Sequence, residues 1–173
     1  MQQDMIETKR LEIRPLTYNE LEKYYKSPND FAKDLGLIPS RSLIDEETKD
    51  AILNDLLPNL IDPSKNPLFY TMWIVIEKNN RAIIGGICFH GEPDINGEVE
   101  IGYGIDVEYR NCGIMTETIN ALIKWISENR QVRMIKAVTD IENVSSIRVL
   151  EKNDFKICER TDKEVILKLG LLH

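Results

Sequence analysis

The sequence predicts one mixed α/β domain over residues 1–173, built on a central, mostly antiparallel sheet flanked by helices. Between Phe69 and Val107, three apolar stretches separated by short turns are typical of an antiparallel meander. Helices then alternate with strands, which requires at least one parallel crossover. At 173 residues the chain can bury a core without help from a metal or a disulfide.

The first half of the chain predicts one strand and three helices. "TKRLEIRPL" alternates as a strand does, and Thr17 with Glu20 forms the pattern of a capping box at the start of a helix. A short helix is expected over residues 30–36, and "GLIPSRSL" is irregular. Acidic residues begin a further helix, "DEETKDAILNDLLPNLI", which we expect to break near Pro58 and Pro63.

The second half predicts the remaining strands and two long helices. The meander strands are "FYTMWIVIE", "RAIIGGICFH" and "EVEIGYGIDV", with a hairpin turn at Asn79-Asn80. A helix to about residue 129, the strand "RMIKAVTD", a helix over residues 143–153, and the strands "FKICER" and "EVILKL" follow.

Composition limits the classes of function. A formal net charge of -7 argues against a nucleic-acid partner and is compatible with a cationic substrate. Cys88, Cys112 and Cys158 form no CxxC pair, which favours a reducing compartment. No apolar run has transmembrane length and the N-terminus has no signal-like core, so we expect a cytoplasmic protein with no membrane partner.

A turn between a strand and a helix is the first candidate site. Arg110, Asn111, Cys112 and Gly113 precede the helix, where free N–H groups and the helix dipole favour an anion. Gly113 lets a ligand approach the main chain, and Arg110 adds a charged donor. An ordinary turn with a solvated arginine is the alternative.

Two further segments carry polar residues that suit acyl transfer. Glu100 shares a strand face with Gly102 and Gly104, which gives a substrate room and its proton an acceptor. Asn143 is a candidate N-cap of the next helix, and Ser146 lies in its first turn. Glu100 could equally be a solvated edge residue.

Other reactive residues have weaker support. Cys112 at a helix start is a conceivable nucleophile, but no histidine is near it in sequence. His90 is a second candidate base, with a structural role as the alternative. His90 and the terminal His173 have no partner at metal-ligand spacing, so we expect no metal site.

The stretches "VEIGYGIDVEYRNCGIMTETINALIKWI" and "RMIKAVTDIENVSSIRVLEKNDF" resemble the GCN5-related N-acetyltransferase (GNAT) family, in particular its RimJ/RimL-like branch. "IETKRLEIRPLT" resembles the first strand of that branch. The resemblance implies a mixed sheet whose fourth and fifth strands splay apart to admit acetyl-coenzyme A. The chain departs from the family pattern at Met115 and Asn111. Leu150 stands where many relatives have a tyrosine acid, and Asp154 replaces a glycine.

The resemblance also implies roles for individual residues. It assigns the pyrophosphate loop to Arg110, Asn111, Cys112, Gly113, Ile114, Met115 and Thr116, and the start of the second helix to Asn143. Backbone N–H groups near Ile105 and Val107 would hold the pantetheine and polarise the thioester carbonyl. Ser146 would lie near the thiol. From its own place beside Gly102 and Gly104, rather than from the resemblance, Glu100 is expected to take the proton of the amine.

The function expected from these residues is N-acetyl transfer from acetyl-coenzyme A to a primary amine, by direct attack in a ternary complex. The amine acceptor, a protein N-terminus or a small amine, cannot be chosen from the sequence, and a homodimer stays open. The alternatives are a non-catalytic acyl-coenzyme A sensor and an interaction domain that binds no nucleotide.

Overall fold

The computed structural model describes residues 4–41 and 44–172, so the terminal His173 and part of "GLIPSRSL" lie outside the described residues. The strands are β1 (Ile6–Glu7), β2 (Leu11–Pro15), β3 (Met72–Glu77), β4 (Ala82–Phe89), β5 (Glu98–Ile105), β6 (Met134–Asp140), β7 (Lys156–Arg160) and β8 (Glu164–Gly170). The meander of β3, β4 and β5 confirms the strands expected from the sequence.

The helices are α1 (Tyr18–Lys26), α2 (Pro28–Asp34), α3 (Glu46–Ala51), α4 (Leu57–Leu60), α5 (Ile114–Ile126) and α6 (Val144–Glu151). Both halves of the capping box between Thr17 and Glu20 are present. The predicted break at Pro58 is wrong, because a π-helical segment, Ile52–Leu56, joins α3 to α4. The wider π turn accommodates a residue without an N–H, and the helix ends at Leu60, ahead of Pro63.

The described strands form one eight-stranded sheet in the order β1-β2-β3-β4-β5-β6-β8-β7. Neighbouring strands are antiparallel except β5 and β6, which are parallel. Their pairing ends at Ile101 and Ala137, although β5 continues to Ile105 and β6 to Asp140. The splayed pair expected from the family resemblance is therefore present, as β5 and β6.

Helices cover the two faces of the sheet differently. Helices α5 and α6 pack on one face, where Trp73 of the sheet and Trp125 of α5 meet with ring centroids 4.8 Å apart. Helices α1 to α4 and the π segment pack on the other face, against Ile74, Ile76 and Ile83. Odd-numbered residues of β5 face α5 and α6, and even-numbered residues face the α1–α4 side.

Candidate active site

A cleft of about 540 Å³ opens where β5 and β6 separate. Its walls are the end of β5, the loop before α5, and the first turns of α5 and α6. The lining residues are Tyr103, Gly104, Ile105, Tyr109, Arg110, Asn111, Gly113, Ile114, Met115, Thr116, Asn143, Ser145, Ser146, Arg148, Val149 and Lys152. The two helix starts that the sequence indicated thus share one cavity.

The loop before α5 exposes backbone N–H groups to this cleft. Asn111 and Gly113 both have left-handed backbone, with φ of 59° and 74°, which asparagine and glycine tolerate best. Gly113 is the N-cap, and no side chain caps α5. The first N–H groups of α5 have no intrahelical acceptor and meet the positive end of the helix dipole. These groups are chemically suited to an anion.

The back of the loop is bound to the start of the chain. The guanidinium of Arg10 donates to the carbonyl oxygen of Cys112 at 3.0 Å and to Oε2 of Glu117, in the first turn of α5, at 2.7 Å. The Thr8 hydroxyl donates to the other oxygen of Glu117 at 2.5 Å. Burial acts against it, but the hydrogen bonds from Thr8 and Arg10 and the charge of Arg10 together lower the pKa of Glu117 below its ordinary value.

Strand β5 turns backbone groups toward the gap. His90 N–H donates to the carbonyl oxygen of Glu100, and Asp106 N–H donates to that of Ile84, so even-numbered residues of β5 pair with β4. The N–H groups of Tyr103 and Ile105 therefore point to the opposite side, where β6 has moved away. Ile105 thus lines the cleft, where the sequence analysis expected it.

Val107 does not continue this strand. The strand ends at Ile105, and Val107 begins a 3-10 turn with a side chain that is 66% exposed and outside the cleft lining. The chain turns at Asp106, whose buried carboxylate accepts hydrogen bonds from the Ser40 hydroxyl at 2.6 Å and the Arg41 N–H at 2.8 Å. The prediction of a strand through Val107 is wrong for this reason.

Helix α6 brings a pair of hydroxyl groups into the cleft. Asn143 is its N-cap, and the Asn143 side chain accepts a hydrogen bond from the Ser146 N–H at 3.1 Å. The Ser146 hydroxyl therefore takes no part in capping the helix. That hydroxyl is 2.8 Å from the hydroxyl of Tyr103, and either oxygen can be the donor. Burial raises the pKa of Tyr103 to about 12, against the effect of this hydrogen bond, so the phenol stays protonated at neutral pH.

Cationic side chains line the opening of the cleft. Arg148 and Lys152 are one turn apart on the face of α6 that meets the cleft, and Arg110 stands on the loop opposite. None of the three takes part in the ion pairs found within residues 4–41 and 44–172. These cations and the free start of α5 favour a ligand that carries several negative charges.

Glu100 lies on the α1–α4 face of β5, outside the cleft lining. Its Oε2 is 2.6 Å from Nζ of Lys136, and its Oε1 is 3.1 Å from Nδ1 of His90. Lys136 is its register partner on β6, one residue before the parallel pairing ends. Both carboxylate oxygens thus already have a nitrogen partner.

The structure brings most of the predicted residues together and adds new ones. Ile105, Arg110, Asn111, Gly113, Ile114, Met115, Thr116, Asn143 and Ser146 line the cleft, whereas Glu100, Val107 and Cys112 do not. Sequence reasoning missed Tyr103, Arg148 and Lys152. The spacing of Ser145, Arg148, Val149 and Lys152 in the sequence is that of one helix face and could have indicated the last two.

Of the loop from Arg110 to Thr116, Cys112 lies outside the cleft lining and Met115 within it. The exposed Cys112 thiol donates to the carbonyl oxygen of Arg110 at 3.3 Å, and Met115 is 4% exposed and belongs to the core.

Within the described ranges, no group of three or more metal-ligating side chains comes together. None of the helices described there combines the length and apolar character needed to span a bilayer.

The family model described as an acetyltransferase (GNAT) domain matches residues 10–156. An uncharacterized N-acetyltransferase, YjdG, of Bacillus subtilis (strain 168) is 28% identical over 151 residues, which cover 87% of this chain and 89% of that protein.

Solved structures with a similar fold include two ribosomal-protein acetyltransferases. The ribosomal-protein-S5-alanine acetyltransferase from Vibrio fischeri has a TM-score of 0.67 at 19% identity, covering 96% of each chain. The RimL ribosomal L7/L12 alpha-N-protein acetyltransferase, solved in complex with coenzyme A, has a TM-score of 0.67 at 18% identity, covering 97% of this chain and 98% of that one. At these identities the likeness concerns the fold.

Proposed function

The chain belongs to the GNAT acetyltransferase family and is an acyltransferase, and from this premise we propose that it moves an acetyl group from acetyl-coenzyme A to a primary amine, a protein N-terminus or a small amine. The observation that carries the proposal is the uncapped start of α5, open to a cleft between two diverging strands. The described residues fit coenzyme A: free N–H groups and Arg110 suit its pyrophosphate, and the cleft of about 540 Å³ has room for the pantetheine arm.

The residues of the cleft then have definite tasks. The loop from Arg110 to Thr116 binds the pyrophosphate, and Arg148 and Lys152 add positive charge beside it. The N–H groups of Tyr103 and Ile105 hold the pantetheine arm and polarise the thioester carbonyl. Ser146 donates toward the departing sulfur.

The amine acceptor binds on the α1–α4 face of β5, where Glu100 lies. The Glu100 carboxylate promotes removal of the amine proton, which must leave because a protonated amine cannot attack a thioester. Attack is direct, since the Cys112 thiol faces away from the cleft and has Arg110 as its partner. Cys88, Cys112 and Cys158, all described, are free thiols, which supports a cytoplasmic location.

Thiol release in a panel of amines tests the proposal. Acetyl-coenzyme A would be offered with peptides of differing N-terminal residue, polyamines and aminoglycosides, and with no amine as the blank. We expect amine-dependent release of thiol, and coenzyme A at one hundred times its Kd should stabilise the fold by about 2.7 kcal/mol. Coenzyme A binding without thiol release for any amine would contradict the transfer reaction, and no binding would contradict the cofactor assignment.

A further inference from the structure

His90 and Glu100 face each other across β4 and β5. The His90 N–H donates to the backbone carbonyl oxygen of Glu100 at 2.9 Å, and their side chains meet at 3.1 Å between Nδ1 and Oε1. The other oxygen of Glu100 is 2.6 Å from Nζ of Lys136. A carboxylate with both oxygens engaged is poorly placed to receive a further proton directly.

The contact with Glu100 fixes which nitrogen of His90 is free. Nδ1 lies 3.1 Å from the Glu100 carboxylate, where a lone pair would face negative charge, so in the neutral imidazole the proton belongs on Nδ1 and the lone pair on Nε2. Nε2 lies above Gly102: a Cβ atom built on Gly102 would come within 2.9 Å of it. The His90 side chain is 53% exposed, so a substrate can reach this lone pair.

We propose that His90 is the catalytic base that takes the proton of the acceptor amine, and that Glu100 is a positioning residue that acts through it. The inference rests on the proposed acetyl transfer. The amine would approach over Gly102 and Gly104, on the α1–α4 side of β5, where a Cβ on Gly104 would meet nothing within 4 Å. Tyr103, between these glycines, presents its N–H to the gap and its hydroxyl to Ser146 on the other side.

The surroundings of His90 suit a cationic amine. Besides Glu100 and Lys136, they include Cys88, whose Sγ shares the space over Gly102 with Nε2 of His90. From the π segment, the charge of Asp55 reaches Cys88, and burial above all raises the pKa of that thiol to about 11. The thiol therefore stays neutral, and the nearby carboxylates favour approach of a positive group.

The proton balance of the step is complete with these groups. The ammonium gives one proton to Nε2 of His90, which later passes it to solvent. The freed lone pair forms the C–N bond while the C–S bond breaks and its electron pair stays on sulfur. The second proton lost from nitrogen ends on the coenzyme A thiol, by way of the hydroxyl groups of Ser146 and Tyr103.

Kinetics of four variants with a simple alkyl amine test the proposal. We expect His90→Gln and Glu100→Gln to lower the rate constant kcat by roughly a hundredfold. Gly102→Ala should slow the reaction because its methyl group displaces the imidazole.

Glu98→Gln is the control, since Glu98 pairs with Lys168 on the same face of β5, and it should keep full activity. Coenzyme A affinity should change less than twofold in all four.

A weakly basic acceptor separates proton removal from structural damage. An alkoxyamine is uncharged at neutral pH and needs no base before attack, so His90→Gln should acetylate it almost as fast as the wild type does. Equal losses with the alkyl amine and the alkoxyamine would overturn the role of His90 as base.

Nitrogen NMR of the imidazole gives a readout that needs no turnover. The chain has two histidines, so His90→Gln assigns the His90 signals at once. We expect the Nδ1–H tautomer in the wild type and its loss in Glu100→Gln. A dominant Nε2–H tautomer would overturn the proposal whatever the activity. An Nδ1–H tautomer in a wild type that acetylates no amine would instead overturn the proposed acetyl transfer.

Discussion

The guanidinium of Arg10 donates to the carbonyl oxygen of Cys112 at 3.0 Å and so ties the residue just before β2 to the loop before α5. Arg10 also holds Glu117, in the first turn of α5, at 2.7 Å. Both contacts reach the side of the loop that faces away from the cleft. Arg10 therefore sets the direction in which the free N–H groups point, although it does not line the cleft itself.

Arg10→Met should weaken coenzyme A binding about tenfold, which corresponds to ~1.4 kcal/mol. The loss arises because the loop is no longer held in its binding conformation. Calorimetry with coenzyme A measures it, and Lys9→Met is the matched control, because it removes the same charge from the adjacent, exposed position. If the two variants bind coenzyme A equally well, the contact with Cys112 has no part in shaping the loop.

The charge of the loop can be tested at Gly113. Gly113→Asp should strongly weaken coenzyme A binding, because it adds a negative charge at the start of α5 and, since a Cβ on Gly113 would lie 3.7 Å from the Arg10 guanidinium, draws Arg10 away from Cys112 and Glu117. Gly113→Asn is the control: asparagine has the same size, also tolerates the left-handed backbone of this residue, and carries no charge. We expect the asparagine variant to retain measurable affinity, with both variants folded by circular dichroism. Equal affinity of the two variants would contradict an anion site here.

The Glu117 carboxylate predicts how stability depends on pH. The pKa of Glu117 is lower in the folded protein than its ordinary value of 4.5. The folded state therefore stabilises the charged form of the carboxylate. Its contribution is complete above the ordinary value and is lost as the pH falls through the lower folded value. Urea melts of the wild type and Glu117→Gln should therefore differ most at neutral pH, and the difference should shrink below about pH 4.

The control for this pH series is Glu22→Gln. Glu22 pairs with Lys26 on the exposed face of α1, and such pairs contribute little to stability. Its free energy of unfolding should stay close to that of the wild type at every pH. A difference for Glu117→Gln that grows toward acid pH would have the wrong sign for a stabilised carboxylate.

Local sequence patterns predicted the elements and the two helix starts, but not the contacts between distant segments. Asn143 and Gly113 could be recognised because capping and left-handed turns depend on the residue type at one position. Asp154 is of the same kind, with φ of 66° after α6. Arg10 could not be recognised, since its partner Cys112 lies 102 residues away and nothing near Arg10 indicates it.

Tyr103 was missed for a related reason. Its alternation with Val99 and Ile101 places it on the core face of β5, where an aromatic residue needs no further explanation. The functional signal is the meeting of its hydroxyl with Ser146, which depends on how α6 packs over the gap. Glu100 shows the converse: its face was predicted, but its partners, His90 just after β4 and Lys136 on β6, follow from how the strands pair.

The hydroxyl pair leads to the last prediction. If Ser146 donates to the departing thiolate, Ser146→Ala should lower kcat about tenfold with little change in coenzyme A affinity, because this hydrogen bond strengthens only as charge develops on sulfur. Tyr103→Phe should lower kcat by a smaller factor, since it removes the hydroxyl that orients Ser146 at 2.8 Å. The double variant should lose no more than Ser146→Ala alone, because the two hydroxyls act in series.

A structural role for Ser146 gives a different pattern. The capping bond of α6 runs from the Ser146 N–H to the side chain of Asn143, so Asn143→Ala should cost about 1 kcal/mol of stability. Ser146→Ala keeps that N–H and should unfold in denaturant close to the wild type. Steady-state kinetics and denaturant melts on the same preparations separate the two roles. Because Leu150 is buried and leaves its position on α6 without a hydroxyl, an unchanged kcat in Ser146→Ala would mean that Tyr103 or solvent protonates the thiolate, and the double variant distinguishes these two donors.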